Sequence, residues 1–383
     1  MSARLNILMI HQGAELYGSD RSFVSAVCAL RGRYPDATID IVLPEPGPII
    51  DLLLPYSTQI MFDGRGILRK IEFKVHPWRT LKSMVTAWLE YRRLVRSYDI
   101  CYVNTVVCVA AIAALRGRRG GAYVHVREIP SALACRVFKA MLRFSRASLI
   151  YNSHATAAAF NLPGSVIHNG VDVFSTSATA TSRRGRALRL AIIGRINPWK
   201  GQQFVLDALR TRGRELSVEV RVVGDVFAGY EDLLVKLQET ANACAQHVAI
   251  EGFTNDPAAH YAWADFILVP SILPEPFGRV AIESFAAGRP VIASATGGLT
   301  EIVTDEVTGF LFKPNDAEDF VCAVERALSM TGVAYQRMAA AARQRYIRSF
   351  TVDTYMCAIA EVVCPQVSAA QRLPVTALRR EIR

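Results

Sequence analysis

Short runs of aliphatic and β-branched residues alternate along most of the chain with longer stretches whose apolar positions recur every three or four residues. That alternation is the pattern of βα units wound around parallel sheets. A first series predicts strands at residues 5–10, 38–43, 59–62, 99–104, 122–126, 148–152 and 165–168, with helices over 20–30, 77–96 and 131–144. A second series opens at LRLAIIGR and runs through VEVRVVGD, HVAIEGF, FILVPS, RPVIASA and GFLFKP. Between the two, STSATATSRRGR loses hydrophobic periodicity and gains small polar and basic residues, as an interdomain linker does. The expected division is a first domain over 1–174, a linker over 175–186, a second domain over 187–345, and a C-terminal helix and basic tail over 346–383. The pattern is helical from Asp316 to about Val363, and no repeat of solenoid length is visible.

A length of 383 residues suits two or three domains, and 51% hydrophobic with 20% charged residues excludes disordered and fibrous classes. The formal charge of +10 favours acidic partners such as nucleotides or anionic lipid. Nucleic acid is not expected, because no basic pattern interleaved with aromatics reads as a recognition element. The eight cysteines show no CxxC and no zinc-like spacing, so they are expected as reduced core thiols of a cytoplasmic protein. The opening MSARLNILMIHQG reads as a first strand rather than a signal peptide. The stretch 100–115 is interrupted by Asn104 and Thr105 and falls short of the ~20 apolar residues that span a bilayer.

Two loops draw attention for their chemistry. After LRLAIIG, the segment GRINPWKG places Arg195 and Lys200 between a strand and a helix, at the carboxyl edge where open α/β sheets bind ligands. A guanidinium fork and a mobile ammonium beside a helix start suit a diphosphate; the alternative is two solvated surface cations. After FILVPS, Glu275 stands between Pro274 and Pro276, and Glu283 follows about two turns into a helix opening near Phe277. A carboxylate can accept two hydrogen bonds from vicinal hydroxyls, so Glu283 suits a ribose and Glu275 a hexose. The alternatives are a helix-dipole partner and an ordinary helix-surface acid. Gly278, Gly297 and Gly298 would let backbone N–H groups approach a sugar or phosphate.

Taken together, GRINPWKG and the later E-x7-E stretch, with TGFLFKPND beyond it, resemble retaining GT-B glycosyltransferases, specifically glycosyltransferase family 4. The resemblance covers roughly residues 187–330 and reaches back more loosely through SVIHNGVD. It implies an α/β GT-B fold: two Rossmann-like domains facing each other across a cleft, with C-terminal helices packing back on the N-domain. It further implies transfer of a sugar from a nucleoside-diphosphate-sugar to an acceptor hydroxyl with retention of configuration, in surface polysaccharide or glycolipid synthesis. Arg195 and Lys200 would bind the donor diphosphate, Glu283 the ribose, and Glu275 with Phe277 and Gly278 the transferred sugar. Phe253 and Thr254 would meet the base, and Gly298 and Leu299 would lie near the phosphates. No D-x-D pair occurs, so neither a metal nor a cofactor is expected, the nucleotide-sugar being a substrate.

The N-terminal half resembles the family less closely. In HQGAELYGSDR, Gly13 and Gly18 fit a loop that admits the donor, although Tyr17 replaces a usual glycine; ordinary turn glycines with Ser19 or Asp20 as helix cap are the alternative. In AYVHVREIP, His125 and Glu128 are read as acceptor-side groups with His125 near the reacting centre, while Arg127-Glu128 can also fill the family's His-acid position. A lone strand histidine is as often a satisfied core residue. Basic and aromatic residues recur over 65–96 and 135–147, which suits contact with anionic lipid at the inner membrane face while a glycan or polyprenyl-linked acceptor enters; the plainer reading is solvated basic helix faces. Two rival readings are a GT-B-like scaffold without turnover and a UDP-sugar epimerase of GT-B form.

Overall fold

The computed structural model describes residues 4–68, 75–118, 120–172, 185–226, 229–254 and 256–363. They fall into two units, one formed by the chain up to Gly170 together with residues from Val352 onward, the other by Val171–Thr351.

In the first unit, β1 (Asn6–His11), β2 (Thr38–Leu43), β3 (Gln59–Phe62), β4 (Ile100–Asn104), β5 (Gly121–Val126), β6 (Ser148–Tyr151) and β7 (Ser165–Val166) form one parallel sheet in the order β3-β2-β1-β4-β5-β6-β7. Period-2 alternation assigns each strand's side chains to two cores. Ile7, Met9, Ile100 and Tyr102 join the cluster under helix Gly18–Arg33. Leu8, Ile10, Cys101 and Val103 join the opposite cluster, under helices Pro77–Leu94, Val109–Ala114 and Ala132–Ser145. Both faces being covered explains why the strands read as near-continuous apolar runs. The last described helix, Val352–Val362, returns to this unit and packs on helix Gly18–Arg33. It buries Tyr355, Ile359 and, just beyond its end, Val363 in the first cluster. An Ile such as Ile359, fully buried, contributes roughly 1.5–3 kcal/mol.

The second unit repeats the arrangement. Strands β8 (Leu188–Ile193), β9 (Val218–Val223), β10 (His247–Glu251), β11 (Phe266–Val269), β12 (Val291–Ser294) and β13 (Gly309–Phe312) lie parallel in the order β10-β9-β8-β11-β12-β13. Leu190, Phe266 and Leu268 face one cluster, while Ala191, Ile267 and Val269 face the other. Helices Ala317–Ser329 and Gly332–Ser349 start at Asp316 and Thr331, whose side chains accept from the N–H groups of Asp319 and Ala334.

All six strands of the second series form where the hydrophobic runs place them. Helix Gly332–Ser349 lies wholly in the second unit, against Arg279–Ala286, so the division expected at residue 345 cuts through a helix. Most of the expected linker lies outside the described residues. The helix expected over 77–96 ends at Leu94 and finishes in a 3₁₀ turn, Val95–Ser97. The expectation of core cysteines needs a correction too: Cys322 and Cys357 are exposed. Cys101 and Cys108 do lie in the core, where burial pushes both thiols up to about 12. Among the described residues, no helix is long and apolar enough to cross a membrane.

Candidate functional site

In the second unit the strand order reverses between β8 and β11, and a crevice opens outside the carboxyl ends of strands at such a point. The loop after β8 carries Arg195 and Lys200, and the loop after β11 carries Ser271 and Glu275. Lys200 Nζ lies 2.7 Å from Glu275 Oε2, and Ser271 Oγ donates to the same oxygen at 2.8 Å. The two loops are stitched by a bond from the Ile272 N–H to the Trp199 carbonyl, 2.9 Å. Asn197 Oδ1 accepts from the Trp199 and Lys200 N–H groups, and Gln202 donates to the Arg195 carbonyl. Arg195 itself is half-buried in this loop. Burial pushes the Glu275 carboxyl up, but the Lys200 ammonium and the two hydrogen bonds outweigh it and hold the carboxyl below its ordinary value. With its side chain 12% exposed, Glu275 is an ionised acceptor at the rim of the crevice.

The glycine turn after β12 holds this carboxylate's backbone. Gly297 has φ +57°, and a Cβ there would fall 2.1 Å from the Glu275 carbonyl oxygen. The Gly298 N–H donates to that carbonyl at 2.8 Å. Gly298, expected beside the phosphates, therefore spends its N–H on Glu275. Leu299 is fully buried in the core, and so is the ring of Phe277, which meets Phe350 edge-on at 6.2 Å. Both residues were expected at the donor, and their side chains are structural. Gly278, at φ +108°, precedes helix Arg279–Ala286, which begins two residues after Phe277.

Glu283 follows little more than one turn into that helix, and it is not an ordinary surface acid. Its Oε2 accepts from Tyr261 at 2.8 Å and its Oε1 from Arg279 Nε at 2.8 Å, with 17% of the side chain exposed. Each carboxylate oxygen keeps a further lone pair for a ligand hydroxyl. Tyr261 is fully buried; burial first, and then Glu283, push its phenol well above the ordinary range, so it stays a donor. Phe253 is half exposed after β10, and Thr254 Oγ1 accepts from the Asp256 N–H in a local turn.

The carboxyl edge of the first unit's sheet holds a buried polar network. Arg127 donates from Nε to Asn104 (2.6 Å), from Nη1 to Asn169 (2.7 Å), and from Nη2 to Tyr355 (2.9 Å) and to His125 Nδ1 (3.3 Å). Tyr102 also reaches His125 Nδ1, at 2.5 Å. A guanidinium only donates, so Nδ1 accepts and the proton of the neutral ring sits on Nε2. Burial, and then the Arg127 charge, push the imidazole well below its ordinary value. Among the described residues, His125 Nε2 has no partner. The ring is thus a buried, neutral hydrogen-bond donor at Nε2. Glu128 accepts from the N–H of Arg127 at 3.1 Å and of Val106 at 3.4 Å, yet burial raises its carboxyl. Nearby Thr105, fully buried, holds φ +84°, a strained conformation for a β-branched residue.

Gly13 packs over the pair His11 Nε2–Asp20 Oδ1, 2.8 Å apart; a Cβ on it would meet that oxygen at 2.5 Å. Gly18 opens the helix, with Asp20 reaching back to the Tyr17 N–H at 3.0 Å. Both glycines shape the loop after β1, and Asp20 acts three residues into the capped helix rather than as the cap itself. Sequence reasoning missed Ser271, Tyr261, Asn104 and Tyr355. Ser271 closes the FILVPS run and Arg279 stands one helical turn before Glu283, two signals that were available. Tyr261 and Tyr355 carry no local signature.

Comparison with known proteins agrees with this geometry. Residues 179–345 match the family described as glycosyl transferases group 1. A D-inositol 3-phosphate glycosyltransferase of Mycobacteroides abscessus is 34% identical over 221 residues, 54% of this chain and 49% of that protein. The lipopolysaccharide 1,2-N-acetylglucosaminetransferase of Salmonella typhimurium is 32% identical over 148 residues, 37% of this chain and 39% of that protein. The chain thus spans about half the length, or less, of these curated relatives. Among solved structures, Anabaena Alr3699/HepE in complex with UDP and glucose superposes with a TM-score of 0.74 at 25% identity, over 94% of this chain and 99% of that one. WaaG, a glycosyltransferase involved in lipopolysaccharide biosynthesis, shares the fold at 16% identity, with a TM-score of 0.65 over 93% of this chain and 99% of that one. The fold is thus that of GT-B glycosyltransferases, two parallel-sheet α/β domains, and the sequence match to the glycosyl transferases of group 1 covers residues 179–345, under half of the chain.

Proposed function

We propose that the protein transfers a sugar from a nucleoside-diphosphate-sugar to an acceptor hydroxyl, with retention of anomeric configuration. The observation that carries the reading is the Lys200–Glu275–Ser271 cluster at the strand-order reversal, with Glu283 held by Tyr261 and Arg279 on the helix that follows. Departure of a nucleoside diphosphate leaves negative charge on the leaving group. Preorganised cations, Lys200 and Arg195, stabilise that charge more in the transition state than in the ground state. Glu275, ionised and anchored, accepts from a sugar hydroxyl, and Glu283 accepts from the ribose. The neutral His125 donates from Nε2 to an oxygen, and Glu128 belongs to the acceptor side. UDP is the first donor nucleotide to test, because a structural neighbour was solved with it. The acceptor class proposed is a glycan or polyprenyl-linked glycan of a surface polysaccharide or glycolipid; the similarity to a lipopolysaccharide 1,2-N-acetylglucosaminetransferase supports the surface-glycan part of that reading. The reaction is proposed to run without a metal.

The test is product analysis of UDP-sugars incubated with the protein and bacterial lipid-linked glycans, with chelator present. The expected product is a glycoside whose anomeric configuration matches the donor's. Inversion, or rescue of a chelated reaction by added Mg²⁺, contradicts the corresponding part of the reading. Isomerised donor formed without acceptor marks an epimerase instead.

A further inference from the structure

Helices Pro77–Leu94 and Ala132–Ser145 of the first unit both pack on Val109–Ala114 and bury Ala87, Tyr91, Phe138 and Leu142 in one core cluster. Each helix carries a second apolar stripe that this core does not use. On the first, Trp78, Leu81, Val85 and Leu89 recur at spacings of three and four and are exposed, Trp78 by 82%. On the second, Leu133, Val137 and Phe144, at spacings of four and seven, lie on one side and are exposed, Leu133 by 74%. Soluble helices ordinarily turn one stripe to the core and a polar face to water.

The charges beside these stripes are almost all of one sign. Lys82, Arg92 and Arg93 flank the first stripe, and Glu90, the acid of that helix, is bound to Arg65. The second helix has Arg136, Lys139 and Arg143 along one side and no acid at all. Arg116 lies 4.8 Å over the Phe144 ring. Long basic side chains can keep their charged ends among headgroups while apolar neighbours sink below them.

We infer that this face of the first unit rests on a membrane surface rich in anionic lipid, with Trp78, Val85, Leu133 and Val137 entering the headgroup–acyl boundary. Charge complementarity selects this occupant over a second copy of the chain, since a two-fold contact would set the same cations against each other. Aliphatic stripes also give a nucleic acid nothing to read. The inference stands apart from sugar transfer and uses no residue of the proposed donor site.

The test is sedimentation of the full chain with vesicles of phosphatidylcholine alone or mixed equally with phosphatidylglycerol. The protein should pellet with the mixed vesicles, less so as salt rises. The variant Trp78→Glu/Val85→Glu/Leu133→Glu/Val137→Glu should stay in the supernatant. Should that variant melt early, Arg136→Ser/Arg143→Ser, confined to exposed side chains, should bind roughly thirtyfold more weakly at an unchanged melting temperature. Equal pelleting with both vesicle types, no pelleting at all, or variants that bind as wild type each overturn the inference. So does a wild-type dimer in sedimentation velocity that the four-glutamate variant splits.

Discussion

The ammonium of Lys200 and the carboxylate of Glu275, 75 positions apart in sequence, meet at 2.7 Å where the second unit's strand order reverses. The Glu275 carboxyl is held below its ordinary value, so its contribution to stability is present above the unfolded-state value and is lost as pH falls through the folded one. Glu275→Gln should therefore cost roughly 1–3 kcal/mol at neutral pH, the range for hydrogen bonds to charged groups, with the difference closing in acid. Urea unfolding of both proteins at pH 7 and near pH 3 measures it. A gap that widens in acid contradicts the assignment.

Tyr261 holds Glu283 from inside the core. Tyr261→Phe keeps the ring and removes the donor, leaving one carboxylate oxygen short of a bond at an expected cost of about 1–2 kcal/mol. Nucleotide affinity should fall as well, because Arg279 alone then orients the carboxylate. Calorimetric titration with UDP, together with thermal unfolding, reads both effects; an unchanged affinity takes Tyr261 out of the donor site.

His125 should make the first unit sensitive to acid. Its folded value lies well below the unfolded one, so the unfolded chain binds the extra proton in the window between them, and stability falls as pH drops below about 6.5. His11, lowered by burial against the opposing pull of Asp20, adds to the same slope. His125→Gln should flatten the decline by up to ~1.4 kcal/mol per pH unit. Unfolding curves between pH 7 and pH 5 provide the check, and parallel declines for the two proteins remove His125 as a source.

Tyr355 ties the C-terminal helix to the sheet edge: it accepts from Arg127 and donates to the Ser22 carbonyl at 3.1 Å. Tyr355→Phe breaks both bonds beside a buried guanidinium and should destabilise the first unit by roughly 1–3 kcal/mol. Chemical denaturation followed by Trp78 or Trp88 fluorescence reports on that unit; an unaltered midpoint contradicts the role.

The sequence made the sheets legible because strands covered on both faces must be apolar throughout, as in LRLAIIG and FILVPS. Lys200, Glu275 and Glu283 stood out through the resemblance of GRINPWKG and the E-x7-E stretch, since spacing alone left surface cations and an ordinary helix acid open. What the sequence hid are contacts made at long range. Tyr261 reaches Glu283, and Tyr355 reaches Arg127, across 22 and 228 positions, and nothing local distinguishes them from core tyrosines. The same limit applies to Phe277, Gly298 and His125: their place beside a strand end was visible, but the burial of Phe277 and His125 and the bond from the Gly298 N–H to the Glu275 carbonyl appear only once the chain is folded.

The central claim is that Glu283 and its neighbours hold a nucleoside diphosphate. It is tested most directly by thermal unfolding with UDP, GDP, ADP and their sugar conjugates, comparing wild type with Glu283→Ala. A ligand at about 100 times its dissociation constant stabilises by ~2.7 kcal/mol. The account predicts a clear upward shift with one nucleotide and its sugars, lost or sharply reduced in Glu283→Ala. An equal shift in both proteins, or no shift with any nucleotide, would contradict it.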